Sequence, residues 1–144
     1  MSDGVKFHRN ASFLLATVGR RAEHEWNQYL RNEGTTTAQF TAMAVLVESE
    51  MSQRGLANLM GIDPRNAGAI VRQLQDRGWI QTRSQPTDAR VRLLAATEAG
   101  RKWWQRIQDD LARGRDRFFA PLTERELATL QKLLNRLNDH LTAE

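Results

Sequence analysis

Seven arginines stand between residues 52 and 92, at positions 54, 65, 72, 77, 83, 90 and 92, against three acids, Asp63, Asp76 and Asp88. That window holds the chain's whole formal excess of +4, and it contains no lysine. Arginine carries a planar fork of donors that matches phosphate oxygens and the O6/N7 edge of guanine, and lysine does not. Two local patterns narrow the chemistry further. Arg65-Asn66 follows Asp63-Pro64, a strong helix start, so both fall in a first helical turn, where arginine can reach guanine and asparagine the N6/N7 edge of adenine. Asp88-Ala89-Arg90 lies in a polar, proline-bearing stretch between two short runs of strand-like sequence, the expected tip of a hairpin. Such residues hold a polyanion and read base edges; they do not make or break bonds.

Nothing else in the chain points to catalysis. Without a cysteine there is no thiol nucleophile, thiolate zinc site or disulfide framework. His8, His24 and His140 show no compact ligand spacing, and no glycine-rich phosphate loop occurs. The carboxylates fall in charged helical faces or caps. No catalytic residue, metal or cofactor is expected, and the chain is read as not an enzyme.

The elements that must position the arginines follow from periodicity and caps. Phe13, Leu15, Val18, Ala22, Trp26, Tyr29 and Leu30 recur at helical steps, predicting an amphipathic helix from about Phe7 to Leu30, ended near Gly34. Thr36-Thr37-Ala38-Gln39 forms a capping box for a short helix carrying Phe40, Met43, Leu46 and Val47. Ser52 caps the next, with Leu56, Leu59 and Met60 inward and Gly61 as its stop. Asp63-Pro64 opens the third, whose buried stripe is Ala67, Ile70, Val71 and Leu74. After Gly78 the period falls to about two: 79–83 and 91–95 read as strands around the turn 84–90. Thr97 then caps a helix with Trp103, Trp104, Ile107, Leu111 and Phe118, expected to bend or break near Gly114. Thr123 caps a last helix lined by Leu127, Leu130, Leu133, Leu134, Leu137 and Leu141. A stripe of six leucines left exposed on a monomer predicts a second copy of the chain as its partner.

The fold class is therefore mostly α with a small β-hairpin wing: a winged helix-turn-helix between N- and C-terminal dimerisation helices. The expected segments are 1–34 for the N-terminal dimerisation helix, 35–97 for the winged helix-turn-helix (helices near 36–48, 52–60 and 63–77, wing near 79–96), and 98–144 for the C-terminal dimerisation helices. At 144 residues, 40% hydrophobic and 26% charged, the chain can bury a core of its own. No apolar run approaches the roughly 20 residues of a membrane span and no signal-peptide core is visible, so a soluble, cytoplasmic protein is expected. The helix after Asp63 fits a major groove, and the wing tip can reach the adjacent minor groove, whose negative potential attracts arginine.

Nearly the whole chain, about residues 8 to 140, resembles the multiple-antibiotic-resistance regulator (MarR) family of bacterial transcription factors. The resemblance rests on Thr36-x-x-Gln39-Phe40, Ser52-Gln53 followed by Leu56-Ala57, Leu74 with Gly78 and Ile80, and most specifically Asp88-x-Arg90 with Thr97-Glu98-Ala99-Gly100 after it. It implies an obligate homodimer closed by its terminal helices, nucleoid-associated in a bacterial cytoplasm, that binds a pseudo-palindromic duplex and usually represses transcription. It also implies a small phenolic or aromatic carboxylate effector bound between the dimerisation helices and the DNA-binding lobe. In the family pattern Asp88 orients Arg90 toward the minor groove without touching DNA.

Two departures bear on the target sequence. Thr82 stands where many members carry arginine, with Arg83 beside it as a substitute phosphate contact. Gly68 and Ala69 stand where a hydroxyl and a basic residue are common, which leaves Arg65, Asn66 and Arg72 as the readers. The expected DNA-contacting set is then Arg54, Arg65, Asn66, Arg72, Arg83, Arg90 and Arg92, with Arg77 structural. Phe13, Trp26, Tyr29, Phe40, Met43 and Trp103 are candidates to line an effector pocket, against the plainer reading of core or dimer packing. A winged-helix architectural or protein-binding module with no sequence-specific operator is the alternative function.

Overall fold

The structure is a computed structural model and describes residues 10–143. The expected helix start near Phe7, and His8, lie outside the described residues. The order is α1 (Ala11–Asn32), α2 (Thr37–Leu46), α3 (Gln53–Met60), α4 (Pro64–Asp76), β1 (Ile80–Gln85), β2 (Asp88–Ala96), α5 (Glu98–Phe118) and α6 (Glu124–Thr142). Two compact units result, Met1–Arg101 and Lys102–Glu144, with α5 running through the boundary. The N-terminal helix thus groups with the winged lobe.

Local capping sets most of the helix starts. The side chains of Asn10, Thr36, Ser52, Asp63 and Thr123 each accept a backbone N–H of the first turn they precede. Each satisfies a donor that a helix start leaves without an intrahelical partner. Pro64 occupies the first position of α4, where its missing N–H costs nothing. Gly61 ends α3 at φ +66°, a left-handed turn that lets α4 leave in a new direction after two residues.

The winged lobe is built around α2, α3 and α4, which pack on one another; α4 also packs on β1, and α2 and α3 on β2. Ala42, Met43, Leu46, Leu56, Ala57, Ala67 and Leu74 are fully buried there, with Ile80 and Leu94 closing the core from the hairpin. The C-terminal end of α4 is held hard against the start of α5. The Thr97 hydroxyl donates to the Gly78 carbonyl at 2.6 Å, and the Trp79 carbonyl accepts the Thr97 N–H at 2.9 Å. A Cβ on Gly100 would fall inside the Trp79 carbonyl group, 2.9 Å from its carbon, so only glycine permits this approach.

The hairpin is longer than its sequence suggests and its turn shorter. Strands extend over 80–85 and 88–96, with Pro86 and Thr87 between them. Ile80 to Ser84 pair with Ala96 to Arg92, but Gln85 pairs with Asp88, so Ala89, Arg90 and Val91 bulge out of the ladder. Met51, in the α2–α3 loop, forms an isolated antiparallel bridge to the sheet: it exchanges both backbone hydrogen bonds with Leu94, at 2.7 and 3.3 Å.

In the second unit, α5 runs without interruption through Gly114, where a bend or break was expected. One glycine costs a helix only about 1 kcal/mol, and the hydrogen-bonded turns on either side outweigh it. Trp103 and Ile107 are buried on α5, while α6 buries no residue. Leu133, Leu134, Leu137 and Leu141 remain 38–68% exposed along one face of α6. In the first unit, α1 buries only Leu30 and leaves Leu14, Leu15 and Val18 about half exposed.

Candidate nucleic-acid interface

Helix α4 divides into longitudinal stripes because residues seven apart return almost to the same angle. Arg65 and Arg72 share one stripe, extended by Gly68 and Gln75 at three- and four-residue steps. Asn66 and Gln73 share the next, about 100° away, continued by Arg77. Ala67, Ile70, Val71 and Leu74 face the core.

The Arg65–Arg72 stripe forms one wall of an open cleft of about 540 Å³. The opposite wall is the hairpin, through Thr82, Arg92 and Leu94, and Gln53 and Pro64 close one end. Gln75 spans it, its side-chain amide donating to the Thr82 hydroxyl at 3.0 Å. The cleft therefore gathers three arginines from two separate elements. Among the described residues none of the three is engaged in an ion pair. Their charge is left for a partner outside the chain, and all three are exposed.

Gly68 lines the cleft beside Gln53. Gln53 lies across it, with the amide nitrogen 3.2 Å from where a Cβ would stand, and reaches the Pro64 carbonyl at 3.4 Å. A side chain at 68 would require the end of Gln53 to give way by a few tenths of an ångström.

The remaining sequence-predicted residues distribute as follows. Asn66 is exposed on the neighbouring stripe, outside the cleft lining, and Arg54 is exposed on α3. Arg90 is exposed in the bulge, where a break in the ladder re-aims a side chain. Asp88 meets Arg90 through the backbone: its carboxylate accepts the Arg90 backbone N–H at 3.0 Å and makes no ion pair with the guanidinium among the described residues. Arg83 is engaged within the chain. Its guanidinium is held by the Glu50 carboxylate through Nε at 2.8 Å and through Nη2. Glu50 is brought there because Met51 beside it is paired with Leu94, which sits next to Arg83's cross-strand partner Leu93. Arg77 donates to the Gly34 carbonyl and lies 4.4 Å from the centre of the Trp79 ring.

The aromatic candidates pack with one another or into the core. Trp26 and Phe40 meet edge to face at 4.8 Å, and Tyr29 stacks beside Trp26 at 6.4 Å. Phe13 is half-buried and Met43 fully buried; in the second unit Trp103 is buried and tilted against Trp104 at 6.3 Å. None of them lines the arginine cleft.

Sequence reasoning missed Gln53, Gln75 and Thr82 as cleft residues. Gln75 was findable, standing three residues beyond Arg72 on one stripe. Thr82 and Gln53 were not, since only the packing of hairpin and α3 against α4 brings them there. No group of acidic or imidazole side chains able to hold a metal occurs among the described residues, and none of their helices is long and apolar enough to cross a membrane.

Known proteins agree with this architecture. The MarR family model matches residues 33–91, from the α1–α2 corner to the wing bulge. A Thauera aromatica protein named for transcriptional regulation of the hcr operon is 33% identical over 106 residues, 73% of this chain. The chain spans 64% of that relative's length. Among solved structures, a "probable transcriptional regulator" from Pseudomonas aeruginosa is 28% identical with a TM-score of 0.67, covering 92% of this chain and 99% of that one. A MepR mutant from S. aureus has the same fold at 16% identity, with a TM-score of 0.79 over 92% of this chain and 98% of that one. The relatives and the fold are those of transcriptional regulators and not of enzymes. On the matched wing and helix-turn-helix and the shared architecture, this chain resembles the MarR family over residues 33–91 and has the winged helix-turn-helix fold of its solved members.

Proposed function

We propose that the chain is a homodimeric, sequence-specific DNA-binding regulator of transcription, which represses at pseudo-palindromic operators and is relieved by a small aromatic or phenolic ligand. The observation that carries this reading is the cleft itself: Arg65 and Arg72 from α4 and Arg92 from the wing face one open space, without acidic partners among the described residues. A sugar–phosphate strand entering that space would leave the first turn of α4, with Arg65 and Asn66, against major-groove base edges. Arg90, thrown out of the ladder, would reach the next minor groove. The names of the relatives point the same way.

A two-fold dimer would set its recognition helices about 34 Å apart, one turn of DNA, and so read an inverted repeat. The exposed leucines of α6 and the apolar face of α1 supply surface that such a dimer would cover. The effector would act by population shift, favouring a helix spacing that misses successive grooves. The Trp26–Phe40–Tyr29 group is where an aromatic ligand would be sought, and the cytoplasmic nucleoid is where the protein would work.

The test is selection of bound duplexes from a random pool. Enrichment of an inverted repeat with half-sites one turn apart supports the reading. Retention of DNA with no enriched sequence supports an architectural role instead.

A further inference from the structure

The recognition stripe of α4 is aimed by contacts on the stripe beside it. Buried Thr35, at the corner between α1 and α2, donates its hydroxyl to Gln39 Oε1 at 3.0 Å. Gln39, also buried, passes its amide to Gln73 Oε1 on α4 at 2.9 Å. One turn further on, at the C-cap of α4, Arg77 donates to the carbonyl of Gly34, the residue before Thr35. Its guanidinium lies over Trp79, which narrows its freedom to leave. The same corner of the chain thus holds α4 at two points four residues apart.

Two attachments on this stripe, together with the buried Ala67–Ile70–Val71–Leu74 stripe beside it, fix the rotation of α4 about its own axis, which a single line of contacts cannot do. Rotation is what matters for a reader helix, because Arg65 and Arg72 sit about 100° from the Asn66–Gln73 stripe and turn with it. We infer that Gln39, Gln73 and Arg77 are positioning residues for sequence recognition: a polar latch through which the α1–α2 corner sets the angle of α4 in the groove. The inference rests on the DNA-reading role proposed above. It also gives any movement of the α1–α2 corner a direct route to the base-reading side chains. None of the three residues need touch DNA.

The test compares affinity for the selected operator with affinity for unrelated duplex, across a salt titration of the full-length protein. The ratio cancels any loss of active protein, so a variant that is merely less stable leaves it unchanged. Gln73→Met keeps the length of the side chain but removes the acceptor for Gln39; it should narrow the ratio by roughly fivefold, the scale of one part-buried hydrogen bond, with the salt slope unchanged. Gln73→Glu keeps an acceptor and should hold the ratio near wild type, although its charge lowers both affinities. Arg77→Gln removes the second attachment at the surface and should also narrow the ratio with the slope unchanged. The latch is overturned if Gln73→Met leaves the ratio within about twofold, if the Met and Glu variants narrow it equally, or if Arg77→Gln reduces the salt slope by about one, the mark of a phosphate contact. A wild-type protein with no operator preference would instead sink the underlying reading.

Discussion

The carboxylate of Asp88 takes the backbone N–H of Arg90 at 3.0 Å, so it holds the chain at the wing tip and leaves the guanidinium to project. The contact spans two residues and closes the bulge that removes Ala89, Arg90 and Val91 from the ladder. A short side chain bonded to nearby backbone is the usual way a turn of this kind is held. Arg90→Ala should weaken DNA binding by about tenfold or more at moderate salt, read by gel-shift titration, with the protein still folded. Asp88→Asn retains an acceptor and should bind within about twofold of wild type, whereas Asp88→Ala should lose roughly fivefold. Equal losses in the two Asp88 variants would mean that the charge, and not the backbone bond, is what counts.

Arg65 stands in the first turn of α4 with its backbone N–H accepted by Asp63 at 2.8 Å, which leaves its side chain directed outward at the head of the cleft. A bidentate contact to guanine discriminates by about 1–3 kcal/mol. Arg65→Ala should therefore flatten preference at one base-pair position per half-site in a repeated selection. A uniform loss over all sequences would reassign Arg65 to phosphate.

Arginines of the cleft and the arginine of the ion pair should separate in salt dependence. Arg72→Ala and Arg92→Ala are each expected to reduce the slope of log affinity against log salt by about 0.9, the signature of one lost phosphate contact. Arg83 is already engaged by Glu50. Arg83→Ala should change that slope by less than either, and a full loss of about 0.9 would show that DNA takes Arg83 from Glu50.

Gly100 is required by the approach of α5 to the Trp79 carbonyl. Backbone stands on the opposing side, so an added methyl cannot be met by a rotamer change. Gly100→Ala should cost about 1–3 kcal/mol in urea unfolding at fixed protein concentration, against the gain that alanine ordinarily brings inside a helix. An unchanged or raised midpoint would contradict the close packing.

The leucine face of α6 is the cheapest place to test self-association. Leu137 is 51% exposed in the single chain. Leu137→Glu would place a charge in any interface that covers it, and analytical ultracentrifugation should then find a shift toward monomer, with operator affinity falling in parallel. A dimer of undiminished strength would move the interface elsewhere.

What could be read from the sequence was whatever neighbouring residues decide among themselves. Thr36, Ser52, Asp63-Pro64 and Thr123 announce helix starts because a cap and its N–H donors lie within three residues. The buried stripe of α4 and the clustering of arginine in one window are legible for the same reason: spacing along a helix is spacing in space. What only the tertiary structure decided involves partners far apart in the chain. Gln39, readable as half of a capping box, sends its amide to Gln73, and Arg83, readable as a phosphate contact, meets Glu50. The register slip that ejects Arg90 depends on how one strand lies along the other. Gly114 signals a break that the assembled helix overrides. Local preference is worth about a kilocalorie per residue, and packing among distant segments supplies comparable or larger energies that leave no mark on neighbouring positions.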